Sequence, residues 1–343
     1  MTRRERRWAA IGSACLAGAL LLAMLDARAA LGGWLSGFIL CSAVPLGALL
    51  LVMMMQLIPG SWRPELLPVA LDTQWLLPAA AVAALPVLVA TPVLYPWAAE
   101  AIDGWRGLYL SPVGFALRTS VFFLAAIALS VALMSRPAAA SALSAAGLIG
   151  FVLADTTVAV DWLMSLAAHF HSSGFGLYAL SIQVTVALAV LLIVRLGGSP
   201  SDRTNLLGGL LLTALLLWAY LAFMQFFIIW SGNLSEGARW YLRRAEGGWA
   251  TVEWIMAASQ LGPALLLFLA PVRRDRLWLI ALSAVVVAGK ALEIAWLVAP
   301  ETGNPALLVV AFAATTVGFV LVAPAAAAMT KSLLRRPVAR VLP

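Results

Sequence analysis

Charge is scarce in this chain. Lys, Arg, Asp and Glu make up 11% of its 343 residues, against about 25% in a soluble domain. With 63% hydrophobic residues and a mean hydropathy of +0.99, that scarcity excludes a water-facing surface and makes lipid the solvent. Cysteine is nearly absent too. Cys15 and Cys41 lie in apolar stretches and form no CxxC, so no cysteine-ligated iron–sulfur cluster, which needs about four thiolates, belongs to this chain. They read as small helix-packing residues. The two histidines, His169 and His171, stand two apart in one connection, which argues against haem b held between helices. A lone HxH with no cysteine or carboxylate beside it does not make a metal site. Walker, dinucleotide and nucleophile-elbow motifs are missing as well. The net charge of +7 comes without any basic, aromatic-interleaved soluble segment, so no nucleic-acid partner is expected.

What is present is a series of long apolar runs. Crossing about 30 Å of hydrocarbon takes about 20 helical residues, and ten runs qualify: 8–25, 34–58, 75–94, 112–135, 140–161, 173–195, 204–230, 248–270, 277–298 and 304–329. They are continuous rather than alternating, which excludes a β-barrel, and only helices satisfy their own backbone in such runs. The basic start, residues 1–7, before the first run resembles a signal peptide. No small-residue cleavage site follows clearly, so the run is read as a retained first helix. The longest connections, 59–74, 95–111 and 231–247, leave no room for a soluble domain. The expectation is one all-α, polytopic transmembrane bundle spanning 1–343.

Orientation follows from Lys and Arg. With the N-terminus inside, fifteen lie in inner segments and five, Arg28, Arg106, Arg239, Arg243 and Arg244, in outer ones. That bias places both termini in the cytoplasm. Several runs contain proline (Pro45, Pro78, Pro86, Pro263 and Pro324), which kinks a helix or frees a carbonyl. Small-residue stretches at Ala138–Ala140 and Ala325–Ala328 permit close helix packing. No internal repeat is evident.

Ionisable residues inside the runs carry the chemistry, because each costs about 2.5–3.5 kcal/mol at a helix centre and so requires a partner or a polar cavity. They are Arg118, Asp155, Glu253, Lys290 and Glu293, with Asp161 at a helix end. A rise of about 1.5 Å per residue places them roughly 7–12 Å below the outer boundary. Lys290 and Glu293, spaced i, i+3, share a helix face. Arg118 and Asp155 fall at equal depth on consecutive antiparallel helices, which predicts an ion pair. Asp155 and Asp161 do not share a face closely, and Glu253 is left without an assigned partner. Towards the inner half only neutral polar groups follow: Gln183, Tyr220, Gln260, Thr315 and Thr316. The pattern favours an outer half-channel over a complete proton wire. Structural ion pairing remains the competing reading, favoured for Arg118 with Asp155, whereas the group of Glu253, Lys290 and Glu293 favours function.

Two outer segments are distinctive. One is Asp155-Thr-Thr-Val-Ala-Val-Asp161-Trp162-Leu-Met164-Ser165-Leu166, followed by His169. The other runs from Trp218-Ala-Tyr220 through Phe223, Gln225 and Trp230-Ser231-Gly232-Asn233 to Trp240-Tyr241-Leu242-Arg243-Arg244 and Gly247-Gly248-Trp249. With Leu94-Tyr95-Pro96-Trp97 and Trp296-Leu297-Val298-Ala299-Pro300, they resemble the ActF-type membrane subunit of alternative complex III, within the NrfD/PsrC-like polysulfide reductase family. The resemblance covers roughly residues 35–300. It implies two four-helix bundles and a place in a bacterial inner-membrane quinol:cytochrome c oxidoreductase. The implied partners are a homologous NrfD-like membrane subunit, periplasmic iron–sulfur and multihaem cytochrome c subunits, quinol, lipid and a terminal oxidase. Iron–sulfur and haem c groups would sit on those partners, and a quinone, menaquinone or ubiquinone, would be the ligand nearest this chain.

The resemblance also implies proton or quinone roles for Arg118, Asp155, Asp161, Lys290 and Glu293. The family's Glu-Pro-His after Met-Ser-Leu is Ala167-Ala168-His169 here, which removes an acid from the outer loop. Glu253, Tyr220 and Gln225 complete the set of proton-transfer or quinone candidates. The outer loop is rich in aromatics and Arg, as buried interfaces are. Trp230, Asn233, Arg239, Trp240, Tyr241, Arg243, Arg244 and, nearby, His169 are therefore expected to dock a partner, or to form an interfacial aromatic belt. A secondary transporter and a purely structural assembly scaffold are the alternatives.

Overall fold

The computed structural model describes residues 3–100, 103–136, 140–167 and 169–338, with side chains as far as Leu334. Ala138 and Ala139 of the first small-residue stretch lie outside these. In chain order the helices are α1 (Arg3–Leu21), α2 (Ala27–Leu57), α3 (Arg63–Thr73), α4 (Leu77–Ala83), α5 (Leu85–Val89), α6 (Thr91–Leu94), α7 (Gly104–Tyr109) and α8 (Pro112–Ser135). They continue as α9 (Ala140–Trp162), α10 (Phe175–Gly198), α11 (Thr204–Ser231), α12 (Ser235–Ala245), α13 (Gly248–Leu267), α14 (Ala270–Arg274), α15 (Arg276–Thr302) and α16 (Pro305–Val338). Among the described residues there are ten helical segments long and apolar enough to cross a membrane, so this is a multi-pass, all-α membrane protein.

Local sequence sets several boundaries. Asp26 caps α2 by accepting from the Ala29 amide at 3.0 Å. Ser111 caps α8 through the Gly114 amide, and Asp275 caps α15 through Trp278. These side chains satisfy amides that the first helical turn leaves without partners.

The third span departs most from the sequence expectation. It begins at Arg63, not at residue 75, and runs to Val89 as a series of short helices. Pro64, Pro78, Pro86 and Pro92 sit in the first turns of α3, α4, α5 and α6, where a missing amide does no harm. Each also interrupts the ladder behind it. Side-chain donors meet several carbonyls in and beside these breaks. The Trp34 indole reaches the Ala83 carbonyl at 3.0 Å, and Thr91 donates to Val87 and Leu88. The Gln74 amide reaches the Pro45 carbonyl inside α2 at 3.4 Å.

The helices form two four-membered groups. α2 packs with the third span and α9, with α8 against α9, while α10 packs with α11 and α15, and α13 packs against those two. The groups meet where α2 lies against α10 and α15, and α9 against α10. α16 lies along α2 and carries α1 on its outer side. In the most apolar stretch of α2, 78% of residues are buried, against 11% in the first span, so α2 is the central post and α1 the periphery. Large apolar side chains such as Val89, Leu124, Leu153 and Trp254 point outward, as a lipid-facing ring requires.

Candidate functional site

Three groups of polar side chains lie towards the ends of the spans joined by residues 95–111 and 231–247. In the first, Arg118 does not pair with Asp155. Its guanidinium grips Asp161 in a two-pronged contact, Nε to Oδ2 at 2.7 Å and Nη2 to Oδ1 at 3.0 Å. Equal depth was the wrong criterion, because an arginine reaches along its helix and the bidentate fork selects for direction. Arg118 Nη1 also donates to the Tyr109 carbonyl, and the guanidinium stacks 4.0 Å over that ring. Trp162, next to Asp161, donates its indole to Thr119 and receives the Tyr95 hydroxyl on its carbonyl.

Asp155 is buried elsewhere. It lines a cavity of about 30 Å³ together with Ser42, Gln183 and Ile294. That is room for about one water, at the junction of the two helix groups. No cation pairs with it among the described residues.

The second group is centred on α15. Lys290 Nζ lies 2.7 Å from Glu293 Oε2, and both side chains have zero exposure. The i, i+3 spacing predicted this pair. Two further partners carry no charge and were not among the candidates, although Trp218 heads one of the distinctive segments. The Tyr178 hydroxyl from α10 donates to Glu293 Oε1, and the Trp218 indole from α11 donates to the same oxygen at 2.8 Å. Lys290 also lies 3.6 Å over the Trp218 ring. The carboxylate thus accepts from three donors on three helices, which is the satisfaction a buried charge demands.

Glu253 does not join this group. It is half-buried on α13 and acts electrostatically on Tyr241, whereas the carboxylate paired with Lys290 is Glu293. Tyr220 is 59% exposed and points away from the polar interior. Gln225 is buried and donates to the Tyr241 hydroxyl at 3.3 Å.

The third group corrects the reading of the 231–247 connection. That segment folds as the amphipathic helix α12, and its Arg244 is fully buried. Arg244 pairs with Glu301 at 3.1 Å, donates to the carbonyls of Trp240, Trp296 and Leu297, and stacks 3.6 Å over the Trp240 ring. Burial pushes its guanidinium down to about 10, with Glu301 opposing. Trp240 is 3% exposed and stacks on Phe170, with the two centroids 4.3 Å apart. Arg244 and Trp240 therefore anchor α12 to its own chain and are not free to meet a partner. The exposed members are Trp230, Asn233, Arg239, Arg243 and His169, with Tyr241 half-buried. His169, Arg239, Arg243, Glu236 and Glu246 line a shared surface depression of about 420 Å³.

A separate pocket of about 390 Å³ opens beside the first group. Trp97, Trp105, Tyr109 and Phe170 supply aromatic walls, and Glu100, Arg106, Ser165 and His171 supply polar ones. The Trp97 indole N–H is buried without a hydrogen-bond partner. Volume, aromatic lining and a few polar groups together are what small-molecule sites share. Compared with known protein families and with curated proteins, the chain matches none.

Proposed function

We propose that this chain is a membrane subunit of a bacterial inner-membrane quinol:cytochrome c oxidoreductase built on the plan of alternative complex III. It anchors periplasmic iron–sulfur and haem c subunits beside a homologous NrfD-like subunit and handles protons at a buried acid–base cluster. The observation that carries the reading is the Lys290–Glu293 pair with its Tyr178 donor. A buried ion pair needs a partner for each charge, but it does not need a titratable hydroxyl on the carboxylate. Tyr178 has Tyr241 and Arg244 as electrostatic neighbours, and Tyr241 in turn feels Glu253. Exchangeable groups therefore gather on the Tyr241 side of Glu293, with Tyr178 hydrogen-bonded to it and Tyr241 hydrogen-bonded to Gln225. Deeper in the same helices the buried polar side chains are neutral, as at Ser181, Thr185, Gln260 and Ser283. That asymmetry supports a half-channel open to the outer side.

Quinol oxidation releases two electrons and two protons. The electrons go to redox groups on partner subunits, and the protons need carriers facing the outer side. The aromatic pocket at Trp97, Trp105 and Tyr109 suits a planar ring, and the Arg118–Asp161 pair beside it offers charge to a ring hydroxyl. A gentle-detergent pull-down of the tagged chain, with haem staining and a quinol:cytochrome c reductase assay of the eluate, tests the assignment. Haem-bearing and iron–sulfur partners with quinol-dependent activity are expected. The chain eluting alone, without haem or activity, would overturn the reading in favour of a transporter.

A further inference from the structure

We propose that the crevice between α2, α10 and α11 binds a chain of an anionic phospholipid, with the phosphate held at Arg63 and Arg203. The crevice encloses about 520 Å³ and runs from Ile58 and Trp62 up to Leu177 and Leu221. Along α10 alone its lining from Leu177 to Leu188 covers about 16 Å at about 1.5 Å per residue. Leu50 to Ile58 of α2 line the half nearer Trp62, so the crevice follows most of a hydrocarbon core of about 30 Å and has room at its Trp62 end for a tail of one leaflet's depth. Its walls are open to the bilayer, since Ile58, Leu177 and Leu217 are each about half exposed. The polar groups along it are already committed. Ser181 donates to the Tyr178 carbonyl, Thr185 to Ser181, and Thr213 to Gly209, so the interior asks for hydrocarbon and nothing else.

The Trp62 end differs in chemistry. Trp62 lies where aromatic rings settle at a membrane interface, and Arg63 follows it directly. Arg63 donates to the Gln56 side chain at 2.9 Å, and Arg203 donates to the Ser61 carbonyl at 2.6 Å. Both partners are neutral. The nearby carboxylate Glu65 is taken by Arg195 at 2.7 Å, and exposed Asp202 pairs with neither arginine. Arg63, next to Trp62 of the lining, and Arg203, bonded to the neighbouring Ser61 carbonyl, therefore stand near the Trp62 end of the crevice with no carboxylate pairing either, on the Lys- and Arg-rich side where the leaflet is anionic.

The test is native mass spectrometry of the full-length chain, with whatever partners co-purify, after detergent stripping and titration with dioleoyl phosphatidylglycerol or dioleoyl phosphatidylcholine. Phosphatidylglycerol should occupy the protein more fully. Arg63→Gln and Arg203→Gln should each lower its affinity about fivefold and leave phosphatidylcholine unchanged. Leu217→Trp fills the crevice from its open side without entering the core, and it should lower both lipids. Equal occupancy by the two lipids would overturn the head-group assignment, as a neutral tail such as an isoprenoid predicts. Unchanged occupancy in Leu217→Trp would overturn the crevice.

Discussion

Lys290 and Glu293 have no exposure to soften the loss of either one. Removing one member of such a pair leaves an uncompensated buried charge, which costs about 3–5 kcal/mol, whereas replacing both with apolar groups of similar volume is often neutral. Lys290→Met and Glu293→Leu should each lower the thermal midpoint of the detergent-solubilised protein strongly, and the double variant should recover most of the loss. A double variant as unstable as the sum of the singles would count against a coupled pair. A second cycle separates the two aspartates. Arg118→Gln should couple to Asp161→Asn by about 0.5–3 kcal/mol and hardly at all to Asp155→Asn. Spacing alone made the Lys290–Glu293 pair legible, because one helix fixes it. The Arg118 partner was misassigned because two helices fix it, and their relative rotation is not written in depth. Tyr178 and Trp218 were missed because an uncharged aromatic in an apolar run looks like packing.

At the scale of the helix, hydrophobic run length found all ten spans, since water exclusion sets length directly, although α2 begins at Ala27, seven residues before the run read from 34. The third span was read short. Its first turns at Arg63–Thr73 carry Glu65, Asp72 and two prolines, a polarity that resembles a connection. The helix α12 was read as a docking loop because aromatics and arginines fill buried interfaces within a chain as readily as between chains. Arg244→Ala should therefore destabilise the isolated subunit, detected as a lower thermal midpoint before any partner is added. Arg239→Ala, on the exposed face and paired only to Glu236, should leave it unchanged. Helix contacts give a paired test. A Cβ at Gly33 would stand 2.5 Å from the Leu308 carbonyl, while one at Gly209 meets nothing within 4 Å. Gly33→Ala should cost about 1–3 kcal/mol by overpacking α2 against α16. Gly209→Ala should be neutral or stabilising, by up to about 1 kcal/mol of helix propensity. Equal midpoints for the two variants would contradict the close approach.

Across the whole molecule the charges are distributed unevenly. Arg118, Asp155, Asp161, Glu253, Lys290 and Glu293 lie towards one end of the spans, whereas the ion pairs of Glu65 with Arg195 and of Asp72 with Lys331 lie near the other. A helix bundle needs no such bias for stability, since a buried pair fixes packing equally well at any depth. Under the proposed function that placement serves one-sided proton handling, and Glu293 is the residue the proposal turns on. The most direct measurement is quinol:cytochrome c reductase turnover of the purified complex carrying Glu293→Gln, with haem content and subunit stoichiometry confirmed equal to wild type. Turnover about a hundredfold lower, within the range expected when an acid–base group is lost, is the predicted result. A fully assembled Glu293→Gln complex running at the wild-type rate would contradict it, and would leave the Lys290–Glu293 pair as a structural fastening alone.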